Sequence, residues 1–198
     1  MTLNCLVTGV GGQGTVLLSR LIGAASMRRG LDVRGTETIG MAQRGGSVVS
    51  HLRLGGVIHS PLIPPGKVDI VIAFEPGEAV RVLPFLAEKG TLLVLDRPVM
   101  PFPLAGGSPY EPLRMIQYLR ECFGKTGRLA VLDGPSLAEK CGSVKTANTA
   151  LLGAALGRGL FPFDENDVLE ALAERLKPSL VEINVKALET GKEYAYAC

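Results

Sequence analysis

The sequence predicts an α/β sandwich on a mostly parallel sheet, closed by a helical C-terminal segment. Three observations carry this. Apolar runs of strand length, at residues 3–7, 68–74 and 91–95, alternate with stretches of helical spacing, the pattern of strands buried on both faces and joined by crossover helices. The first run leads straight into a glycine turn and a helix, C-L-V-T-G-V-G-G-Q-G-T-V-L-L-S. From residue 146 onward the patterns are all helical. The 198 residues suit one domain, 1–198, with a proper core.

In chain order, Leu3–Val7 reads as a strand and Gln13–Arg29 as a helix, ended by Gly30 after two cations. Val33–Thr38 is a second strand, Ile39–Gly46 a loop and Ser47–Leu54 a third strand. Gly55-Gly56 then suggests a hairpin into Val57–Ser60, and Pro61, Pro64 and Pro65 a loop. Val68–Phe74 reads as the central strand. Pro76 suits a first helical turn, so a helix is expected from Glu75 to about Lys89, kinked or split at Pro84. Thr91–Leu95, ending in Asp96, completes a strand–helix–strand crossover. Pro98–Pro109 reads as an irregular excursion, Glu111–Cys122 as a helix, Arg128–Leu132 as the last strand and Pro135–Cys141 as a helix. A loop at Gly142–Thr146 precedes helices at Thr146–Leu156, Asp164–Leu176 and Leu180–Gly191, with Asp164 a good N-cap and Pro178 a divider.

Gly9, Gly11 and Gly14 spell G-x-G-x-x-G, with Gly12, Gln13 and Thr15 inside the same turn. Glycines let backbone approach a ligand, and the helix behind them offers unpaired N–H groups and partial positive charge. The functional reading is a phosphate, pyrophosphate or carboxylate seated on Gly11–Thr15; the plain one is a tight turn needing glycine for packing. No lysine follows Gly14, which excludes the nucleotide-triphosphate loop. A dinucleotide site wants an acidic residue closing the second strand. Asp32 comes before that strand's centre, and Glu37 at its end leads into a second unusual stretch, T-E-T-I-G-M-A-Q-R-G-G-S-V-V-S-H-L-R. There Gln43, Arg44, Gly45 and Gly46 form a turn carrying one cation. A guanidinium is a fixed fork of donors, so this turn beside the first loop makes a composite anion site, unless it is a surface hairpin with a solvated arginine.

Position singles out further polar candidates. Glu75 and Asp96 close buried strands, either lining a crevice or capping the next segment. Lys145 and Asn148 start a helix, where they add a cation and an amide to a crevice or, for Asn148, a buried structural amide. Glu182 and Asn184 read as helix-packing or interface residues, and His51, alternating with apolar neighbours, as a structural histidine. No nucleophile–base–orienter set can be assembled.

A net charge of +2 with scattered basic residues gives no case for nucleic acid or a membrane surface. No run of ~18 apolar residues is present, so no spanning helix is expected. The N-terminus shows no basic signal region, so a cytoplasmic protein is expected. Cys5, Cys122, Cys141 and Cys198 form no C-x-x-C pair, and only His51 and His59 occur, so no metal or cluster site is expected within the chain.

G-V-G-G-Q-G-T followed by T-E-T-I-G-M-A-Q-R-G-G-S-V-V-S-H-L-R resembles the gamma-type subunit or domain of the 2-oxoacid:ferredoxin oxidoreductases. D-I-V-I-A-F-E-P, V-K-T-A-N-T-A-L-L-G and V-E-I-N-V-K-A-L-E-T-G extend the resemblance over nearly the whole chain, and F-E-P-G-E-A-V-R is most similar to the indolepyruvate branch. The resemblance implies a Rossmann-like three-layer sandwich, without catalytic residues of its own, in an enzyme that oxidatively decarboxylates a 2-oxoacid to an acyl-CoA and passes electrons to ferredoxin. It places thiamine diphosphate and iron–sulfur clusters on a large partner subunit and has this chain help bind coenzyme A. By matching motifs, the contacts are Gly9, Gly11, Gly12, Gln13, Gly14 and Thr15 with Gln43, Arg44, Gly45 and Gly46. Arg44 is a single cation where relatives can have two, which bears on the strength of that contact. The reading from another class is a self-sufficient NAD(P)-binding module or dehydrogenase.

Overall fold

The computed structural model describes residues 2–39, 46–100 and 110–196. Within them six strands form one sheet in the order β2-β3-β1-β4-β5-β6: β1 Thr2–Val10, β2 Asp32–Ile39, β3 Ser47–Gly55, β4 Val68–Ala73, β5 Leu86–Asp96 and β6 Leu129–Asp133. β1, β4, β5 and β6 are parallel neighbours, while β3 runs antiparallel to both β1 and β2. The helices are α1 Thr15–Arg28, α2 Pro76–Arg81, α3 Pro112–Phe123, α4 Gly134–Cys141, α5 Ala147–Gly157, α6 Glu165–Arg175 and α7 Pro178–Tyr196.

Alternation along each strand sorts the apolar side chains into two cores. Cys5 and Val7 of β1 and Ile70 and Ile72 of β4 face the larger core with α1 and α4–α7. Leu6, Val71 and Ala73 face the smaller one with α2 and α3. The result is helix, sheet, helix in three layers. The central stretches of the parallel strands, such as Ile70–Ala73 and Leu92–Leu95, are apolar because both their faces are covered. In the larger core α5 and α7 approach unusually closely: a Cβ on Gly153 would lie 2.0 Å from the Leu188 carbonyl, and one on Gly191 1.9 Å from that of Ala150. Thr149 Oγ1 donates to Asn184 Oδ1 (2.6 Å), and Asn184 Nδ2 to the Leu180 carbonyl (2.7 Å), so Asn184 is a packing residue. Asp164 caps α6 in a reciprocal pair with Asp167.

Two expected elements differ. Val57–Ser60 is not a strand: β3 already pairs with β1 on one edge and β2 on the other, so no ladder remains. Ile58 is instead buried, and its N–H donates to Asp32 Oδ2 (3.3 Å). The helix expected to reach Lys89 stops at Arg81, passes through a 3₁₀ turn at Leu83–Phe85 and becomes β5 at Leu86. Pro84 has no N–H to continue the ladder. β5 then bulges: Val68 pairs with Leu86 but Ile70 with Thr91, and at Gly90 a Cβ would lie 2.7 Å from the Val68 carbonyl.

Candidate functional site

The connection leaving β1 passes through α1 on one face, whereas those leaving β4 and β5 pass through α2 and α3 on the other. The crevice at the C-terminal ends of β1 and β4 is therefore the topological switch point, where open α/β sheets bind ligands. A cavity of about 350 Å³ opens there. It is lined by Gly12, Gln13, Gly14 and Leu17 from the glycine turn and α1, by Phe74, Leu95, Arg97 and Val99 at or after the ends of β4 and β5, and by Val144, Lys145, Ala147 and Asn148 from the start of α5 and the turn before it.

The glycines have separable tasks. At Gly9 a Cβ would meet Gln13 Oε1 at 2.6 Å and Thr15 Cγ2 at 2.9 Å, so the turn folds onto this position. Gly12 (φ +97°) and Gly14 (φ +86°) adopt the left-handed conformation that a side chain disfavours. Gln13 is used internally: its Oε1 accepts from the Val10 N–H (2.8 Å) and its Nε2 donates to the Phe74 carbonyl (3.4 Å), stapling β1 to β4. Gly14 caps α1 without a side-chain acceptor, and the first turn holds no acidic residue. The opening amides of α1 thus keep their partial positive charge for an anion from outside.

Of the second stretch, Gln43, Arg44 and Gly45 lie outside the described residues. Gly46 lies within them, and its carbonyl accepts from the Gly11 N–H (2.9 Å), joining the two glycine stretches. Asn148 is buried, and a Cβ on Gly14 would lie 2.9 Å from its Nδ2. Its Oδ1 accepts from the Thr149 N–H (2.9 Å), leaving Nδ2 to face the glycine turn. Lys145 stands exposed in the same lining, and Arg97, which the sequence reading passed over, follows β5. An arginine directly after a strand-ending aspartate, where parallel strands point at a crevice, was the available signal.

Glu75 is not a ligand group. It is buried, accepts from the Glu78 N–H (2.6 Å) and Gly77 N–H (3.1 Å) at the start of α2, and takes the Tyr110 hydroxyl. Burial and that carboxylate push the Tyr110 phenol far up. Glu78, also buried, was missed. It accepts from Thr8 Oγ1 (3.4 Å), Ser47 Oγ and Arg81 Nε (3.0 Å), tying β1, β3 and α2 together just below the crevice. A glutamate in a first helical turn reads as solvated; only the pairing of β3 with β1 covers it. His51 is structural: Nδ1 accepts from the Ile63 N–H (3.3 Å), the ring meets Phe85 edge-on, and burial lowers its pKa.

The dinucleotide reading loses its acidic partner. In that arrangement the strand after the first helix lies beside β1 and brings its carboxylate to the glycine turn. Here β3 intervenes and β2 lies at the sheet edge, placing Glu37 opposite Ser50 and one strand farther out.

Residues 4–194 match the pyruvate ferredoxin/flavodoxin oxidoreductase family. The chain belongs to this family. It is 42% identical over 196 residues to the indolepyruvate oxidoreductase subunit IorB of Archaeoglobus fulgidus, covering 98% of this chain and 96% of that one. It is 34% identical over 194 residues to the IorB of Thermococcus kodakarensis, covering 97% and 95%. Its fold is shared with the pyruvate oxidoreductase subunit PORC of Thermotoga maritima (TM-score 0.70, 20% identity, 97% of this chain and 96% of that one). It is shared too with the 2-oxoglutarate:ferredoxin oxidoreductase of Magnetococcus marinus, solved with 2-oxoglutarate, coenzyme A and succinyl-CoA bound (TM-score 0.70, 21% identity, 100% of this chain but 31% of that one). In the family's terms this is a gamma-type chain, one subunit of an oxidoreductase complex. Among its described residues no three His, Cys, Asp or Glu side chains gather as metal ligands, and no helix is long and apolar enough to cross a membrane.

Proposed function

We propose that this chain is the small subunit of a cytoplasmic indolepyruvate- or aryl-pyruvate:ferredoxin oxidoreductase, and that its crevice holds part of coenzyme A. The observation that carries this is the joining of an uncapped α1 to Arg97, Lys145 and the Asn148 amide around one cavity. Phosphates match that donor set: backbone N–H groups take an oxyanion on one side and two cations neutralise it on the other. The apolar lining of Phe74, Leu95 and Val99 accepts an uncharged portion of the same ligand. The large partner subunit holds thiamine diphosphate and the iron–sulfur clusters, which supply decarboxylation and electron transfer to ferredoxin. This chain binds and orients the acyl acceptor and contributes no catalytic side chain. The Gly46 carbonyl ties the second glycine stretch to the first, and the neighbours of Gly46 in sequence, Gln43, Arg44 and Gly45, are further coenzyme A contacts in this reading, with Arg44 as a phosphate fork.

The test is titration of the assembled complex with coenzyme A, NAD and NADP, together with Arg44→Ala and Lys145→Ala. Coenzyme A should bind, and each variant should raise its apparent KM roughly tenfold, since ~1.4 kcal/mol is tenfold in affinity. The 2-oxoacid constants should stay put. Arg44→Lys restores charge without the fork and should recover part. Saturable dinucleotide binding without a coenzyme A response would replace this reading with the NAD(P) module. A preference for pyruvate over indolepyruvate would overturn the substrate branch.

A further inference from the structure

A second cavity of about 350 Å³ lies away from the crevice, between α1 and the β2–β3 edge of the sheet. It exists because side chains are missing: Gly23 and Ala24 on α1 face Gly35 on β2. Val33 and Leu52 complete the apolar wall. At its base is Ser50, 1% exposed, whose Oγ is the one fully buried side-chain polar atom among the described residues without a hydrogen-bond partner. An unpartnered buried hydroxyl destabilises the fold unless something outside the chain satisfies it. Arg20, Arg175 and Glu37 stand on the exposed rim. Among the described residues none of the three has an ion-pair partner, although Arg28 and Arg29 nearby are each doubly paired.

Cations and an anion at the mouth, an apolar wall and one buried unpartnered hydroxyl at the base together match a zwitterion with an apolar body and a polar tip. We infer that this cavity binds a free aromatic α-amino acid whose ring carries an N–H or O–H. The carboxylate pairs with Arg20 and Arg175 and the ammonium with Glu37. The ring lies over Gly23, Gly35 and Leu52, and its donor reaches Ser50 Oγ. The volume is at the lower end for small-molecule sites, which suits a ligand of this size. This cavity stands apart from the coenzyme A crevice, and its occupancy does not depend on what the crevice holds. A cavity that shares no lining residue with the crevice makes the amino acid a second ligand of the chain rather than the acyl acceptor.

The experiment is calorimetric titration of the full chain, alone and assembled with its large subunit, using L-tryptophan, L-phenylalanine and indole-3-propionate. Tryptophan should saturate with a submillimolar Kd, on the scale of ~0.3 kcal/mol per heavy atom. Phenylalanine, lacking the ring donor, and indole-3-propionate, lacking the ammonium, should each bind about five- to tenfold more weakly. Ser50→Ala should erase the preference for tryptophan over phenylalanine while the melting temperature holds or rises, and Glu37→Gln should erase the preference for tryptophan over indole-3-propionate. No saturable tryptophan heat up to 10 mM (about −2.7 kcal/mol of affinity), or unchanged preferences in both variants, overturns the site. So does tryptophan binding that vanishes on assembly, because the occupant is then a side chain of the partner. Coenzyme A binding stays intact under every one of these outcomes.

Discussion

Two neighbouring parallel strands, β1 and β4, end in opposite ways, and the contrast underlies the proposed binding site. Each leads into a helix whose first amides need acceptors. At the end of β4 the chain supplies its own: Glu75 takes the Gly77 and Glu78 N–H groups and the Tyr110 hydroxyl. β6 repeats the device, with Asp133 accepting from the Ser136 N–H at the start of α4 (2.7 Å). At the end of β1 the chain supplies nothing: Gly14 caps α1 without a side chain, and no acid is present in the first turn. A built-in carboxylate on the extended N-cap Glu75 thus closes one strand–helix joint, whereas the left-handed N-cap Gly14 leaves the helix amides of the other open to the anion proposed above.

The largest way to break this contrast is to empty the self-satisfied end. Glu75→Ala removes a cap and leaves the Tyr110 hydroxyl unpaired, which should cost about 2–4 kcal/mol in urea unfolding. Coenzyme A affinity of whatever complex assembles should change less than twofold. A tenfold loss of affinity with stability intact would make Glu75 a ligand group and erase the distinction. Next is Gly9→Ala at the open end. A methyl there meets Gln13, Thr15 and the Phe74 Cβ at 2.6–3.0 Å, so the turn must shift. The expected cost is about 1–3 kcal/mol, accompanied this time by a loss of coenzyme A affinity of tenfold or more. Stability loss without ligand loss would reduce the glycine turn to a packing device.

These two ends were not equally legible. The glycine turn announces itself because strand, Gly9-x-Gly11-x-x-Gly14 and helix are contiguous, and the alternation of strands and helices is local patterning too. What sequence could not carry was neighbourhood. The insertion of β3 between β1 and β2 depends on long-range pairing, yet it decides where Glu37 ends up and thereby separates a dinucleotide site from this one. Val57–Ser60 has strand-like residues, but both edges of the preceding strand β3 are already taken, and the helix after Pro76 gave way to β5 because pairing with β4 outweighs helical propensity beyond Pro84. The polar half of the crevice was hidden likewise: Lys145 and Asn148 were visible as residues, but their facing Gly14 and Arg97 is a product of how α5 crosses the sheet.

A smaller intervention sharpens the contrast by turning one end into the other. Val16→Glu gives α1 a first-turn carboxylate like the one Glu78 supplies to α2. The helix should gain about 0.3–1 kcal/mol from its dipole. Coenzyme A affinity should fall several-fold, and less so in high salt, because the carboxylate now competes for the same positive end. Equal loss at low and high salt would point to a steric effect and not to competition for charge.

The smallest expected effect belongs to β5, the strand end that is neither open nor closed. Asp96 pairs in register with Asp133, and burial together with the Asp133 charge raises its pKa, with Arg120 opposing. An acid whose pKa is raised on folding holds an extra proton in the native state between its ordinary value and the raised one. Stability therefore falls as pH climbs through that window, and the penalty is fully present at neutral pH. Asp96→Asn removes the charge while keeping the shape, so it should raise stability at pH 7, by only ~0.5 kcal/mol or less because solvent screens a partly exposed carboxylate. It should also flatten the unfolding profile just above the ordinary aspartate range. The gain should vanish at pH 3, where both forms are neutral. A variant that is instead destabilised at pH 7 but matches wild type at pH 3 would mean that the Asp96 charge has an acceptor role of its own, which would place β5 with β4 and β6 among the self-satisfied ends and leave β1 alone as the open one.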